Sequence, residues 1–294
     1  MKLTKEKIFP IIISALKEDI GSGDITSSVV FEKDVSLLAH IVAQERCVLA
    51  GIDVARWTFD AVDEKIAFTA LCKDGDNVKK GKRIISVKGS ARSVLTAERT
   101  VLNFLSHLSG VATITNIFAR EVKGTDAEIY DTRKTTPGLR ELEKYAVAIG
   151  GGFSYRIGLW DGIMIKDNHL SGLRLKASLD FARDRQGSKV KAIKAAVEAF
   201  KNKGYKNIEV EVETLAEFQE ALEAGADIIM LDNMEPEDIK KAEKLRKGSN
   251  VILEASGGIS TENIKKIAKT GVDRISIGRI THSAPSIDFS LEIA

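Results

Sequence analysis

Apolar and polar residues change their spacing near residue 124. Beyond it, short apolar runs alternate with longer stretches in which apolar residues recur every three or four positions. The runs predict six β-strands: AEIYD (127–131), IMIK (163–166), IEVEV (208–212), DIIML (227–231), VILEA (251–255) and RISIG (274–278). The stretches between them predict amphipathic helices. Strands that alternate with helices indicate parallel βα units.

Each of these six strands ends, at its C-terminal side, in polar or small residues. The ends read YDTRKT, IKDNH, VEVE, MLDN, EASGG and SIGR. In an α/β barrel all strand ends meet at one opening, where the active site lies. In an open doubly wound sheet only the strands beside the crevice would meet. Polar ends on all six strands favour the barrel.

The first half of the chain has a different pattern. Residues 35–95 combine short apolar runs with Gly, Asp and Asn turn signals, which is typical of strands and hairpins. A helix follows, with Val101, Leu105 and Leu108 on one face and a break or kink predicted at Gly110. An amphipathic helix, not a signal peptide, is predicted at the N-terminus.

Composition narrows the class of protein. The 294 residues carry 44 Lys and Arg against 42 Asp and Glu, a net charge of +2. This balance argues against a protein that coats nucleic acid or an acidic membrane. Two cysteines are too few for a disulfide framework, and no apolar run reaches the roughly 18 residues of a membrane span. We expect a soluble, cytoplasmic protein.

Cationic residues follow the first two predicted barrel strands. Thr132, Arg133 and Lys134 come directly after the first strand, and arginine and lysine side chains there suit a carboxylate or phosphate. In the second cluster, Arg156 precedes the next strand and Lys166 ends it, before Asp-Asn-His. Each cluster has a plainer interpretation, as a solvated loop or as a lysine that reaches water.

Acidic residues mark the third and fourth strands. Alternation places Glu209, Glu211 and Glu213 on one face of a strand, and Asp232 ends the next strand. Glu211 and Asp232 together suit hydrated Mg²⁺ or ribose hydroxyls. The alternative is that some of these acids only pair with the cations, and we interpret Glu209 and Glu213 as structural.

The last two strands end in glycine-rich turns. Glycine turns at these positions form the usual phosphate site of such barrels. His282 is equally compatible with a surface role. The residues of the turns are Ser256, Gly257, Gly258, Ile277, Gly278, Arg279 and His282. Together these clusters predict a phosphorylated, multiply anionic small ligand, and they leave the reaction type open.

The chain resembles the quinolinate phosphoribosyltransferase family, also called carboxylating nicotinate-nucleotide pyrophosphorylases. The resemblance runs over nearly the whole length, through EDIGSGDITS, AERTVLNFLSHLSGVAT, YDTRKTTPGLR, GGGFSYRIGLWDGIMIKDNH, IEVEVETLAE, AGADIIMLDNM, EASGGI and THSAPSIDFSLEI. It implies an incomplete barrel of about six strands at 112–282. It also implies an N-terminal α/β sandwich, residues 1–111, that takes in the C-terminal tail, 283–294.

The resemblance also implies an activity. Such enzymes join quinolinate to phosphoribosyl pyrophosphate with Mg²⁺ and release pyrophosphate and CO₂, giving nicotinate mononucleotide. Lys134, Lys166, Glu211 and Asp232 would be catalytic, the two acids holding Mg²⁺ directly or through water. The implied substrate-binding residues are Arg99, Thr132, Arg133, Tyr155, Arg156, Ser256, Gly257, Gly258, Ile277, Gly278, Arg279 and His282. Arg99 would act across the interface of a homodimer or larger assembly.

The chain departs from the family pattern at one position. The family usually has His-Arg where this chain has Tyr155-Arg156. A histidine can donate to a carboxylate as a cation, whereas a tyrosine stays a neutral donor. We therefore expect Tyr155 to lie at the quinolinate pocket with altered recognition of the acid.

Two alternatives stay open at this point. One is a related phosphoribosyltransferase-like protein linked to molybdate transport, which lacks the KDNH motif that this chain has at Lys166. The other is a non-catalytic relative that binds phosphosugars. The retained Arg133, Lys134, Lys166, Glu211 and Asp232 argue against the second alternative.

Overall fold

The computed structural model describes residues 2–31, 33, 35–176 and 185–294. The chain folds into two compact units. The first unit comprises residues 1–117, 134–153 and 278–294, and the second comprises 118–133 and 154–277. The domain boundaries expected from the sequence, at residues 111 and 282, stay a prediction.

The first unit is built on a four-stranded antiparallel sheet. Its helices and strands are α1 (Lys5–Ile20), α2 (Ile25–Val30), β1 (Ser36–Ala43), β2 (Cys47–Val48), α3 (Ile52–Val62), β3 (Ala67–Ala70), β4 (Asn77–Val78), β5 (Arg83–Ser90), α4 (Ala91–Glu121), α5 (Arg140–Ile149), α11 (Arg279–His282) and β12 (Phe289–Ile293). The last turn of α4, from residue 118 onward, is counted with the second unit. The strand order is β12-β1-β5-β3. Since β12 pairs with β1, the C-terminal tail belongs to the N-terminal sheet, as the resemblance implied.

Apolar side chains of this sheet pack with α3 and α4. One buried cluster joins Ile41 of β1, Phe59 of α3, Ile85 of β5, Leu105 of α4 and Phe289 of β12. Four of the five are fully buried, and Phe289 is nearly so. This apolar core makes the first unit an α/β sandwich.

Gly110 does not break the helix, so the prediction of a break was wrong, and the alternative of a kink stays a prediction. Helix α4 runs without interruption from Ala91 to Glu121. A Cβ at Gly110 would lie 2.1 Å from the backbone oxygen of Pro285. The glycine is required because the C-terminal segment crosses the helix at this point.

Helix α4 is also the one helix, among the described residues, that is long and apolar enough to cross a membrane. However, 61% of its most apolar window is buried inside the protein. A core helix meets the same criterion, and the packing of Leu105 identifies α4 as one.

The second unit is built on a six-stranded parallel sheet. Its strands are β6 (Glu128–Tyr130), β7 (Ile163–Ile165), β8 (Ile208–Val212), β9 (Ile228–Asp232), β10 (Ile252–Ser256) and β11 (Arg274–Ser276). Its helices are α6 (Asp167–Lys176), α7 (Arg185–Asn202), α8 (Leu215–Ala224), α9 (Pro236–Leu245) and α10 (Ile264–Ala268). All six predicted strands are confirmed.

The strand order is β6-β11-β10-β9-β8-β7, with parallel pairing throughout. This is the cyclic order of a barrel, but β6 and β7 are the two edges and do not pair. The predicted incomplete barrel is therefore confirmed. The predicted ends of helix α8 are also confirmed. At its start the Thr214 hydroxyl accepts a hydrogen bond from the Glu217 N–H, and at its end Gly225 has a φ of 75°.

Candidate active site

The two faces of the six-stranded sheet differ in chemistry. Strand pairing puts Glu211, Met230, Glu254 and Arg274 side by side across β8, β9, β10 and β11. Laterally paired residues point to the same face, and so do residues two positions apart along a strand. This polar face carries Tyr130, Lys166, Glu209, Glu211, Asp232, Glu254, Ser256, Arg274 and Ser276. The opposite face carries buried aliphatic residues such as Val210 and Ile229.

Lys166 and Glu211 form an ion pair at the carboxyl ends of β7 and β8. The Lys166 side chain is 41% exposed and that of Glu211 is 17% exposed, so the pair lies at the edge of solvent. The backbone N–H of Lys166 donates to Nδ1 of His169 at 2.9 Å, which holds the residue at the start of α6. A reacting anion would reach the lysine from the solvent side.

Asp232 ends the neighbouring strand β9. Burial raises its pKa, and the nearby carboxylate of Glu211 adds to that rise. The amide of Asn233 donates to it at 3.0 Å and opposes the rise. A carboxylate whose charge is disfavoured by a neighbouring carboxylate suits a divalent cation between or beside the two.

Within the described ranges, no cluster of three or more His, Cys, Asp or Glu side chains could enclose a metal ion. Two carboxylates are nevertheless sufficient for Mg²⁺, which keeps several waters and takes its other ligands from substrate phosphates. Glu211 and Asp232 therefore fit a partly hydrated Mg²⁺.

The turn after β10 is fixed in a glycine conformation. Gly257 and Gly258 have φ of 85° and 61°, in the region that favours glycine. A Cβ at Gly257 would lie 2.3 Å from Oδ1 of Asn233. The Asn263 amide donates to the Gly258 carbonyl at 2.8 Å. The Asn233 side chain thus occupies the space that a Cβ at Gly257 would need. The positive φ values of the two glycines are compatible with a turn whose backbone N–H groups bind an anion.

The loop that carries Tyr155 is anchored to the end of β6. Ser154 Oγ donates to the buried Asp131 carboxylate at 2.6 Å. The Tyr155 hydroxyl donates to the Asn207 carbonyl at 3.3 Å. Burial raises the pKa of Tyr155 to about 12, and Glu209 adds to the rise. Tyr155 is therefore a neutral hydroxyl at physiological pH.

Arg156 is 9% exposed and follows Tyr155 into the interior. Its guanidinium contacts the Gly162 carbonyl and the Met164 sulfur, both at 3.3 Å. Neither acceptor carries a charge. Among the residues described, the guanidinium therefore has no charged hydrogen-bond acceptor.

Sequence reasoning missed a buried charged cluster beneath these residues. Arg274 lies over the rings of Tyr130 and Tyr155, at 4.8 and 5.5 Å from the ring centroids. Glu254 is almost fully buried and accepts from Ser276 Oγ at 2.5 Å. The available signal was the alternation of Glu254 with Ser256, and of Arg274 with Ser276, in otherwise apolar strands.

Glu209, which the sequence left as structural, belongs to this cluster. It is fully buried, and neither carboxyl oxygen has a hydrogen-bond partner among the residues described. Burial raises its pKa well above the ordinary value, and Glu254 adds to the rise. Arg156, Lys166 and Arg274 oppose it. The Glu209 carboxyl therefore favours its neutral form.

The first unit holds a separate group of predicted site residues. A Cβ at Gly278 would lie 2.9 Å from Cδ of Lys134 and 3.3 Å from Cδ2 of His282. Thr281 Oγ1 donates to the Lys134 carbonyl at 2.7 Å. The structure thus brings Lys134 and His282 together around a glycine at the start of α11, and Arg279 is exposed on that helix.

A buried glutamate supports the loop that carries Lys134. Glu143 is fully buried and accepts from the Thr136 N–H at 3.1 Å. Nε2 of His107 lies 2.9 Å from the same carboxylate. Sequence reasoning gave these residues no role, because nothing in a helical pattern marks Glu143 as buried.

Four predicted site residues remain: Arg99, Thr132, Arg133 and Ile277. Thr132 and Arg133 follow β6 and are half-buried, and the Ile277 N–H donates to the Tyr130 carbonyl at 2.9 Å. Arg99 is exposed on α4, as its helical position indicated. The roles assigned to all of these site residues stay predictions.

Two family models match the chain: "Quinolinate phosphoribosyl transferase, N-terminal domain" over residues 24–109, and "Quinolinate phosphoribosyl transferase, C-terminal domain" over residues 111–292. A relative from Bacillus subtilis, a probable carboxylating nicotinate-nucleotide pyrophosphorylase, is 43% identical over 276 residues, which cover 94% of this chain and 90% of the relative.

Solved structures agree with the relatives. The nicotinate-nucleotide pyrophosphorylase from Francisella tularensis is 40% identical, with a TM-score of 0.87 over 100% of this chain and 98% of that one. That from Ehrlichia chaffeensis is 39% identical, with a TM-score of 0.88 over 100% of both chains.

Proposed function

Because this chain belongs to the quinolinate phosphoribosyltransferase family, we propose that it makes nicotinate mononucleotide for NAD biosynthesis from quinolinate and phosphoribosyl pyrophosphate. Pyrophosphate and CO₂ leave in the reaction, and Mg²⁺ assists it. The resemblance recognised in the sequence is confirmed, and the chain is an enzyme. The observation that carries the proposal is the match of both family models to a chain whose polar sheet face holds the Lys166–Glu211 pair beside Asp232.

The transfer step builds opposite charges on two groups. When the bond between ribose C1 and the pyrophosphate oxygen breaks, positive charge grows at C1 and negative charge on pyrophosphate. The nitrogen of quinolinate then forms the new bond to C1. Lys134 and Lys166 stabilise the negative charge, and Glu211 and Asp232 lie at the ribose and oppose the positive charge.

Mg²⁺ is part of the proposal. Glu211 and Asp232 would hold it, directly or through water, and the rise that Glu211 causes in the pKa of Asp232 supports this assignment. When bound, the ion neutralises developing charge on the phosphate oxygens. Lys166 keeps Glu211 oriented at the carboxyl end of β8.

Substrate binding is divided among the other predicted residues. Arg133 and Arg156, with Tyr155, bind the quinolinate carboxylates, and Thr132, which directly precedes Arg133, contributes to the same binding. The turn residues bind the 5′-phosphate of the ribose: Ser256, Gly257, Gly258, Ile277, Gly278, Arg279 and His282. The positive φ values of Gly257 and Gly258 support a backbone cradle at this position.

Decarboxylation breaks the bond between the ring C2 and its carboxylate. The electron pair stays on C2, which takes a proton, and CO₂ leaves. Positive charge on the ring nitrogen, created by its bond to ribose, stabilises this electron pair. Neighbouring arginines hold the carboxylate until it departs.

We further propose a homodimer or larger assembly in the cytoplasm. Arg99 is exposed on α4, and in the proposed assembly it serves the partner's quinolinate pocket. Gel filtration with light scattering tests the assembly. Mixing R99A chains with K166A chains tests whether Arg99 acts across the interface. If it does, each mixed dimer has one intact site, and the mixture regains up to about a quarter of the wild-type activity.

The experiment for the function is direct. The protein is incubated with quinolinate, phosphoribosyl pyrophosphate and Mg²⁺, and nicotinate mononucleotide and CO₂ are measured. Omission of Mg²⁺ with a chelator present is the control and should abolish turnover. Absence of product, with nicotinate accepted instead, would overturn the proposal. Absence of any turnover with phosphosugar binding retained would favour a non-catalytic relative.

A further inference from the structure

Glu143 is a fully buried carboxylate in the first turn of helix α5. A buried carboxylate costs free energy unless hydrogen bonds satisfy its oxygens. An apolar side chain of similar size in such a place is often no less stable. Packing alone therefore does not explain a glutamate here, and the partners of its oxygens decide what the residue does.

Both oxygens of Glu143 bind one backbone group outside the helix. The Thr136 N–H donates to Oε1 at 3.3 Å and to Oε2 at 3.1 Å. Nε2 of His107, on helix α4, lies 2.9 Å from Oε1 and fixes that oxygen. The carboxylate thus reaches back seven residues along the chain, past the start of its own helix.

The segment that Glu143 holds is short and stiff. Pro137 follows Thr136, and the residue before a proline is restricted to extended backbone conformations. The Leu139 N–H donates to the Thr136 carbonyl at 3.0 Å and closes the turn into α5. Both backbone groups of Thr136 are therefore in hydrogen bonds. A shift of the Glu143 carboxylate would pass along this segment to Lys134, two residues earlier.

Lys134 is fixed at its carbonyl, and its stem has a defined place. Thr281 Oγ1 donates to the Lys134 carbonyl at 2.7 Å. A Cβ at Gly278 would lie 2.9 Å from Cδ of Lys134, although the φ of −68° at Gly278 suits any residue. The glycine therefore leaves room for the lysine stem. Lys134 is nevertheless exposed, and an exposed lysine side chain has many rotamers to lose when it binds.

We infer that Glu143 is a positioning residue for the proposed reaction, because it fixes the backbone from which Lys134 reaches the pyrophosphate. This inference rests on the proposed function, in which Lys134 stabilises negative charge on the leaving group. Preplaced charges act only at the right distance, and a displacement of about 1 Å can cost about a hundredfold in rate. His107 acts through Glu143, since it holds one of the two oxygens.

The test compares E143D with E143Q in steady-state kinetics. Aspartate keeps the charge but shortens the side chain by about 1.5 Å, so its carboxylate no longer reaches the Thr136 N–H. Glutamine loses the charge but keeps the length and an oxygen that accepts from this N–H. E143D should lower kcat about 10- to 100-fold, with the quinolinate KM within about twofold of wild type. E143Q should keep kcat within about threefold of wild type, because a neutral hydrogen bond replaces a charged one.

A double-mutant cycle separates positioning from a structural effect. K134M removes the ammonium that Glu143 positions. In the K134M background E143D should change kcat by less than about twofold, because residues that act as one unit are not additive. An equally large loss in both backgrounds would overturn the inference. So would a kcat that falls further in E143Q than in E143D, since the charge and not the hydrogen bond would then matter.

E141D is the matched control on the same helix. Glu141 pairs with Lys7 at 3.3 Å, and 31% of its side chain is exposed. E141D should leave kcat unchanged. Thermal unfolding shows whether each variant folds. If E143D does not fold, H107F decides: it removes the contact with Oε1 at a partly exposed position, and its kcat must fall, whereas H107Q keeps a donor and should retain activity.

Two measurements separate this inference from the proposed function because they need no turnover. Hydrogen exchange of the Thr136 amide should be slow in the wild type and in E143Q and faster in E143D. Calorimetry with inorganic pyrophosphate and Mg²⁺ should show weaker binding to E143D than to E143Q. If the wild type makes no nicotinate mononucleotide, the proposed function fails, and these measurements still decide the inference. Equal exchange, or equal binding of pyrophosphate, in the two variants would overturn it.

Discussion

The two sheets of this protein bury different chemistry. The antiparallel sheet of the first unit buries side chains such as Ile41 and Ile85 against Phe59 and Leu105. The parallel sheet of the second unit buries Glu209 and Glu254 on its polar face. Buried charged groups cost stability unless they are paired. The comparison teaches that the first sheet contributes mainly apolar packing, whereas the second carries ionisable groups on the face that the proposed reaction uses.

The sharpest test of this comparison in the first unit is F59A. Phe59 is fully buried and packs against Phe68, with ring centroids 6.2 Å apart. Loss of this ring should lower the free energy of unfolding by about 3–5 kcal/mol, measured by urea denaturation. The kcat of the folded variant should not change. The control L71A removes a half-exposed leucine and should cost about 0.5 kcal/mol or less.

The converse test in the second unit is K166M. Removal of the Lys166 ammonium should lower kcat about 10²- to 10³-fold, as for loss of one preplaced group that stabilises transition-state charge. Stability should change little, because the side chain is partly exposed. K241M removes the lysine of a surface pair with Asp238 and should leave kcat intact. A normal kcat in K166M would contradict the proposal that the polar face of the second sheet serves catalysis.

Close packing in the first unit predicts a smaller effect for G110A. The added Cβ would meet the Pro285 carbonyl, so the C-terminal segment must shift away from α4. We expect a loss of about 1–3 kcal/mol in the free energy of unfolding. In G172A, where a Cβ on α6 meets open space, the same change should stabilise by about 0.5–1 kcal/mol. Equal effects from both substitutions would contradict the close crossing.

The smallest expected effect is the pH dependence of E209Q. Burial raises the pKa of Glu209 in the folded state, so the folded protein keeps a proton that the unfolded chain loses above about pH 4.5. The free energy of unfolding of the wild type therefore falls as the pH rises above about 4.5. Because glutamine does not titrate, E209Q should gain stability relative to wild type between pH 5 and pH 8.

Urea denaturation at the two pH values measures this gain. E223Q changes an exposed glutamate on α8 and should show no such trend. A gap between E209Q and wild type that is constant with pH would mean that Glu209 is ionised in the folded protein.

Much of the fold was predictable because it depends on local spacing. The runs at 127–131 and 274–278 contain β6 and β11 because buried parallel strands are short and apolar. Thr214 and Gly225 mark the two ends of α8 by their own hydrogen bonds and φ. Gly110 was misread because glycine has two uses, as a helix breaker and as a point of close approach, and only the neighbouring Pro285 distinguishes them.

The candidate site was predictable only in part. Lys166, Glu211 and Asp232 lie at strand ends, and the ends of parallel strands meet at one edge whatever the details of packing. The buried ionisable residues beneath them were not predicted. Alternation along a strand shows which residues share a face of the sheet, but not whether water reaches that face.

The sequence by itself determined the order of strands and helices, the polar strand ends and, through its motifs, the family. Only the tertiary structure decided which charges are buried. Glu209 and Glu211 are two residues apart on one strand, yet one is fully buried and the other pairs with Lys166. Arg274 comes 65 positions after Glu209 in the chain, and both belong to one buried cluster. Burial depends on the strands alongside, and those come together only when the sheet forms.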